Sequence, residues 1–342
     1  MSILELLLSP LAVCFTLTFI CILVLKPVAY KMGLVDWPGG RKEHARPTPL
    51  IGGIALLLGF LGALLLLPVS LMPFRGLIFG AALLVFVGVL DDYHELSPRG
   101  RLLAQLTALT VMIFWSHVQL TDLGNLFGQG EIHLTWFALP LTLFGAASLI
   151  NAINMLDGLD GQSGSIVLIA LCSLMGLAFA SGVPDQGMVL GLVVAAVLAY
   201  LCFNFPLPWR AHASCFMGDA GSMFLGFILA WFTISLSQQP HTLARPALML
   251  WIAAVPLLDL ATVFIKRIRT GRSPLHAGRD HLHHRLQDRG FSKRGTLGVV
   301  ITATLATNLI AWVMIFCQVP DFWVLLGFLA LFGVYFMLDW VR

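Results

Sequence analysis

Residues 3–25 read ILELLLSPLAVCFTLTFICILVL, a run whose only charge is Glu5. A helix of that length rises about 35 Å, at about 1.5 Å per residue, and can cross about 30 Å of hydrocarbon. No basic residue precedes the run, and it lacks the short apolar core and cleavage site of a signal peptide. It is therefore expected to be retained as a span. Ten more apolar runs follow, at about 50–70, 73–90, 102–120, 134–150, 165–182, 187–203, 221–237, 247–267, 296–316 and 320–338. Pro68 and Pro73, Gly182-Val183-Pro184 and Val319-Pro320 punctuate their junctions. The pattern predicts an all-α, polytopic integral membrane protein of about eleven transmembrane helices, organised as one domain over residues 1–342.

The composition agrees. Of 342 residues, 58% are hydrophobic and only 11% charged, with a mean hydropathy of +0.90. Soluble domains carry about 25% charged residues. A secreted disulfide scaffold, a disordered chain and a nucleic-acid-binding domain are thereby excluded. Cys14, Cys21, Cys172, Cys202, Cys215 and Cys317 include no C-x-x-C pair and lie mostly in apolar runs, so they read as packing residues.

Eleven spans place alternate loops on two sides. One side holds residues 26–49, 91–101, 151–164, 204–220 and 266–294 together with the C-terminus. It receives 18 of the 20 Lys and Arg, leaving only Arg75 and Arg245 opposite. The positive-inside rule makes the basic side cytoplasmic and puts the N-terminus outside. Polar residues, too, collect on this inner side.

Four groups there could carry chemistry. Asp91-Asp92 sits where an apolar run meets the cytosol; it is either an acidic pair at a helix end or a divalent-cation or general-base site. Asn151, Asn154, Asp157 and Asp160 recur every three residues, with Gly158, Gly161 and Gly164 able to loosen the helix so that all four converge. The alternative is a turn-rich loop, but amides next to a span are costly without partners. In Phe216-Met-Gly218-Asp219-Ala-Gly221-Ser222, Asp219 could cap the next helix or hold a metal. Lastly, Lys266 to Arg294 carries Arg267, Arg269, Arg272, Arg279 and Arg285 around His281, His283 and His284. Imidazoles among arginines suit an anionic phosphate better than zinc, because no second Cys or His cluster completes a metal cage. This cluster is expected in an inner loop rather than a packed span, and Asp36 in a solvated loop. Asp259 is the one carboxylate well inside a span and should face protein or a polar cleft. Carboxylates and amides for a divalent ion, with cations and imidazoles for phosphate, all on one membrane face, point to phosphoryl-group chemistry.

The same segments resemble the polyprenyl-phosphate N-acetylhexosamine-1-phosphate transferases. The likeness covers nearly the whole chain and rests on Gly33-Leu34-Val35-Asp36, Arg41-Lys42, Pro49-Leu50-Ile51-Gly52-Gly53, Asp91-Asp92, the Asn151-to-Gly161 run, Phe216-to-Ser222 and His281-Leu-His283-His284. It implies transfer of a sugar 1-phosphate, from a UDP-N-acetylhexosamine such as UDP-N-acetylglucosamine, to undecaprenyl phosphate. The products are UMP and a polyprenyl-diphosphate sugar that primes a surface glycan such as O-antigen. It further implies Mg2+ (or Mn2+) as cofactor and a bacterial inner-membrane setting with no nucleic-acid partner; a homodimer is left open. By resemblance, Asn154 and Asp219 are the metal ligands. Asp91 and Asp92 lie near the metal and the lipid phosphate, with Asp91 the candidate base. Asp157, Asp160 and Asn151 belong to the nucleotide-sugar pocket, Phe216 packs on uracil, and His281, His283 and His284, with Arg267, hold diphosphate or sugar. Asp157, Asp160 and His281 are also expected in the catalytic set.

Three rivals fit less well. In phospho-MurNAc-pentapeptide transferases the histidine motif runs into an aromatic and Glu, whereas Arg285-Leu286 follows here. The D-G-x-x-A-R run of CDP-alcohol phosphotransferases is missing after Asp157. A transporter would place polar groups near the bilayer midplane, where only Asp259 is charged.

Overall fold

The computed structural model describes residues 3–38, 47–210, 212–240, 242–273, 278 and 280–340, with backbone alone for 3–8 and 339–340. Arg41, Lys42 and Arg279 lie outside the described residues. In chain order the elements are α1 (Ile3–Met32), β1 (Val35–Asp36), β2 (Thr48–Pro49), α2 (Gly52–Leu64), α3 (Arg75–His94) and α4 (Pro98–Ser116). They continue with α5 (Ala138–Met155), α6 (Gln162–Ala180), α7 (Pro184–Asn204), α8 (Gly218–Ser237), α9 (Pro246–Ile252) and α10 (Ala254–Arg269), and end with α11 (Leu282–Asp288), α12 (Lys293–Phe316) and α13 (Asp321–Trp340).

Each of the eleven apolar runs contains a helix, but not each helix is built to span. Among the described residues eight are long and apolar enough to cross a membrane, nine if the bent pair α9–α10 is one span. The run at 50–70 yields α2, with only 13 residues, or about 20 Å of rise. The run at 102–120 becomes α4, which starts at Pro98, where Ser97-Pro98 supplies a cap and a first-turn proline. Ser97 caps it, accepting the Gly100 amide at 3.2 Å, and its first turn carries Arg99 and Arg101. The run at 247–267 breaks between α9 and α10 by 85°. Pro256 explains the break, since its ring would meet the carbonyl of Ile252, where α9 ends.

Helix α8 is the axle of the bundle. Its span is 94% buried, so its entire circumference is packed against other helices, chiefly α3 and α5. Close approach to α3 depends on Gly88. A Cβ built there would come within 2.3 Å of Ala220 Cα and 2.5 Å of its amide nitrogen. Small residues allow such contacts between apolar helices, where packing rather than water exclusion holds the pair.

The bundle has two distinct ends. At one, Arg75 donates to the Trp115 carbonyl (2.9 Å) and Arg245 pairs with Asp321 (2.7 Å). The Gln238 side-chain oxygen there accepts the amides of Thr121 and Asp122, each at 3.0 Å. At the other end meet the C-termini of α3 and α5 and the N-termini of α6 and α8. Here an otherwise helical chain makes a small β clasp: Val35 pairs with Pro49 and Asp36 with Thr48. The Phe216 amide donates to Pro49 O (2.8 Å), and Phe216 O accepts the Gly52 amide (2.9 Å). Buried loop backbone has to find partners, and two-residue strands are too short to leave a period in the sequence. Asp36 therefore belongs to a strand rather than to a solvated loop.

Gly88→Ala should push α3 from α8 and lower the melting temperature in detergent, at a cost of about 1–3 kcal/mol typical of overpacking. Gly145→Ala, at an exposed position of α5 with nothing within 4 Å of the added carbon, should leave the melt unchanged or raise it.

Candidate active site

The site is built on the first turn of α8. A helix N-terminus leaves its leading amides without internal partners, and here another helix supplies them. Asp92, at the end of α3, accepts the Asp219 amide at 2.8 Å and the Ala220 amide at 3.3 Å. The Asp219 side chain is thereby directed to Asn154 in the last turn of α5, whose Nδ2 donates to Asp219 Oδ1 (2.5 Å) and to Ser222 Oγ (2.8 Å). Arg101 ties in the neighbour: its guanidinium is 3.3 Å from Asp91 Oδ2 and 3.9 Å from Asp219 Oδ2. Asp91 also accepts the Leu96 amide at 2.7 Å.

The Asn151-to-Asp160 run divides. Asn154, Asp157 and Asp160 line one cleft of about 1090 Å³ with Asp91, Asp92 and Asp219. Asn151 does not reach it; its Nδ2 donates to Gln105 Oε1 (2.7 Å) and Ala147 O (2.8 Å) inside the bundle. Both asparagines lie on regular helix, where three residues rise about 4.5 Å, so Asn151 sits almost a full turn deeper in the bundle than Asn154. Beyond α5 the chain loosens into a turn as expected. Asp157 accepts the Ser163 hydroxyl, and Asp160 Oδ2 accepts the Ala213 amide at 2.8 Å. Burial, reinforced by the charges of Asp219 and Asp160, pushes the Asp157 carboxyl up to about 6 against the Ser163 bond.

Phe216 lines the cleft, set there by the β clasp. Of His281, His283 and His284, the last alone does so, together with Lys293 and Arg294, and His94 and His212 join it from other loops. His281 and His283 are buried, 6% and 2% exposed, so the cluster is packed in rather than loosely looped. His281 Nδ1 lies 2.8 Å from Asp259 Oδ2. His283 presses on the Asp157–Asp160 turn at Gly158, where any Cβ would fall 2.2 Å from its Nε2. Burial, then the neighbouring His284 and His281, pull His283 down to about 3. It is neutral at pH 7 and offers hydrogen bonding rather than charge. Arg267 is 4% exposed and bonds Asp280 at 3.2 Å.

Sequence reasoning missed Arg101, Asn204 and Ser163. Asn204 closes α7 and holds the turn, accepting the Gly161 amide (2.7 Å) and donating to Cys215 O (3.0 Å). A signal existed for Arg101, a basic residue just inside the Ser97-Pro98 cap. Asn204 and Ser163 carry none outside the fold.

Among the described residues, the three histidines form no metal cage. The one His and carboxylate cluster with ligand atoms within 4.8 Å of one another is Asp122, Glu131 and His133. It lies at the other end of the bundle, where His133 pairs with Asp122 at 2.7 Å. The Asp91, Asp92 and Asp219 charges act on one another, with Arg101 bridging two of them. Hard oxygen donors whose negative charge Arg101 meets only in part suit Mg2+ or Mn2+, so the residues present fit such an ion.

Comparison with known proteins gives the family. The family model described as glycosyl transferase family 4 matches residues 74–237. An undecaprenyl-phosphate alpha-N-acetylglucosaminyl 1-phosphate transferase of Salmonella typhi is 33% identical over 332 residues, 96% of this chain and 89% of that protein. The chain belongs to glycosyl transferase family 4. Proteins of the same name from Yersinia pestis and Escherichia coli K12 are 34% and 32% identical, over 95% and 94% of this chain and 87% and 88% of theirs. The glycosyl transferase family 4 match runs from α3 to the end of α8. It takes in every carboxylate of the cleft except Asp36 and stops short of the histidine loop.

The raised Asp157 carboxyl has a consequence for stability. A carboxyl held above its unfolded value near 3.9 binds a proton more readily when folded, so ionising it destabilises the fold as pH rises from about 4 to about 6. In EDTA, Asp157→Asn should raise the melting temperature at pH 7.5, by a gain of about 1–2 kcal/mol. That gain should shrink as pH falls below about 6. An equal gain at pH 4.5 and pH 7.5 would contradict the assignment.

Proposed function

We propose that this protein transfers N-acetylglucosamine 1-phosphate, or a related N-acetylhexosamine 1-phosphate, from a UDP-sugar to undecaprenyl phosphate. It releases UMP and initiates a surface glycan in the bacterial inner membrane. The observation that carries the reading is the single cleft in which five carboxylates (Asp91, Asp92, Asp157, Asp160 and Asp219) face His284, Lys293 and Arg294. It opens at the end of the bundle where the basic loops collect. The names of the near-full-length relatives support the same choice.

A phosphate monoester that attacks a diphosphate brings like charges together, and the transition state spreads charge over equatorial oxygens. Asp219 and Asn154 would hold Mg2+, which would neutralise part of that charge. Lys293, Arg294 and His284 are positioned to bind phosphate oxygens and stabilise what develops on the leaving UMP. Asp91 serves as the base for a protonated lipid phosphate, while Asp92 acts through the α8 amides that it holds. Asp157 and Asp160 orient the nucleotide sugar, with Phe216 against uracil. The lipid phosphate attacks directly.

The test is purified protein with undecaprenyl phosphate, Mg2+ and a panel of UDP-sugars, following UMP and identifying the lipid by mass. EDTA should abolish transfer and excess Mg2+ restore it; full activity in a metal-free preparation refutes the metal site. Asp219→Asn should cost about 10²-fold or more in kcat/KM, whereas Glu131→Gln, exposed at the opposite end, should cost little.

The cytoplasmic placement of the cleft follows from the 18-to-2 division of basic residues. With the exposed Cys172, Cys202 and Cys317 changed to Ser, a cysteine replacing Gln239 should react with an impermeant thiol reagent in intact cells. One replacing Asp288 should not. The reverse pattern overturns the orientation.

A further inference from the structure

The reaction above gives no part to Asp259. It sits in α10, 1% exposed, and accepts four hydrogen bonds. His281 Nδ1 reaches its Oδ2 at 2.8 Å. Its Oδ1 takes the Leu282 amide (2.9 Å), Arg285 Nη2 (2.7 Å) and the Tyr335 hydroxyl (3.1 Å). Arg285 also donates to the Tyr335 oxygen at 2.6 Å and lies over its ring, 5.3 Å from the centroid. Three of the four donors thus come from the histidine loop and the fourth from α13.

A carboxylate buried in a span is costly unless it is fully hydrogen-bonded, and that alone would account for some of these donors. It does not account for which atoms are held. A carboxylate only accepts, so His281 Nδ1 carries the proton and Nε2 is left as the acceptor of the ring, as in histidines oriented from behind by a carboxylate. The Leu282 and Arg285 bonds also fix the first turn of α11. That turn sets His283 against Gly158 and His284 into the cleft.

We propose that Asp259 is the positioning residue of the histidine loop: it locks His281 with Nδ1 protonated and registers α11 against the Asp157–Asp160 turn. The role in turnover rests on the sugar-phosphate transfer proposed above; the placement of the loop does not.

The test uses the full-length protein in detergent. Asp259→Asn preserves volume and removes the charge. It should lower kcat by about 10²-fold while the donor KM changes by less than about threefold, because Asp157, Asp160 and Phe216 still orient the donor while His284, set to stabilise charge on the leaving UMP, loses its place. Nitrogen-15 spectra of histidine-labelled protein should show His281 moving away from the Nδ1-protonated form. Backbone amides of residues 280–288 should exchange with deuterium on the order of tenfold faster. Asp259→Glu should recover part of kcat. Unchanged kcat, an unchanged His281 spectrum, or a loss expressed only as a lower melting temperature overturns the proposal. Should Asp259→Asn fail to fold, Tyr335→Phe removes one donor at the edge of the network. It should lower kcat by about 3–10-fold with a partial spectral shift, and wild-type behaviour in both refutes the role. If the unmodified protein transfers no sugar phosphate, the proposed reaction falls. The spectrum and the exchange of Asp259→Asn then still decide whether the loop is held as inferred.

Discussion

One carboxylate from α3 holds the leading amides of α8, and the geometry of the cleft follows from that contact. Asp92 meets Asp219 N–H and Ala220 N–H, a favourable place for a negative charge at a helix N-terminus. The contact is possible only because α3 lies against α8 without a side chain at Gly88. With the start of α8 fixed, the Asp219 side chain has one direction to take, toward Asn154 on α5. Three helices, two of them antiparallel to the third, therefore agree on the position of a single carboxylate.

Charge is concentrated where the fold is otherwise least able to hold it. Asp91, Asp92, Asp157, Asp160 and Asp219 share one cleft, relieved within the protein by Arg101 and by scattered amides. Like charges held this close repel one another, and a bound cation would relieve that repulsion. Sites that bind strongly charged ligands commonly keep this tension, because a residue content with its protein partners has little reason to bind anything else. The buried histidines show the opposite treatment. His283 is stripped of charge and becomes packing for the turn at Gly158, and its neighbour His284 is left to face the cleft.

The elements that the sequence announces are those with a period or a count behind them. Eleven apolar runs all become helices, and Arg75 and Arg245, the two basic residues that the sequence sets apart, lie at the same end of the bundle. Asn154, Asp157, Asp160, Phe216 and Asp219 meet as their spacing and resemblance suggested. What failed did so for local reasons. Asn151 was grouped with its neighbours on the expectation of a loosened helix, but the helix stays regular through Met155 and carries it away to Gln105. The break after Ile252 was written in Pro256 and read as a continuous span. The burial of His281 could not be inferred, because its partner Asp259 stands 22 residues earlier and becomes adjacent only when α10 and α11 fold back on one another. The β clasp depends on pairing between residues far apart, for which no pattern within either segment prepares the reader.

That clasp also sets a clock. Pro49 and Phe216 are joined by a backbone bond, with more than 160 residues of chain between them. During synthesis the early half waits in the membrane with its loop unpaired until α8 arrives, and the histidine loop comes later still. A nascent chain interrupted before Phe216 thus lacks the floor of the cleft, the axle helix and Asp219 together. Any chain that stops short of Phe216 therefore leaves the backbone of residues 49–52 without the partners that Phe216 supplies.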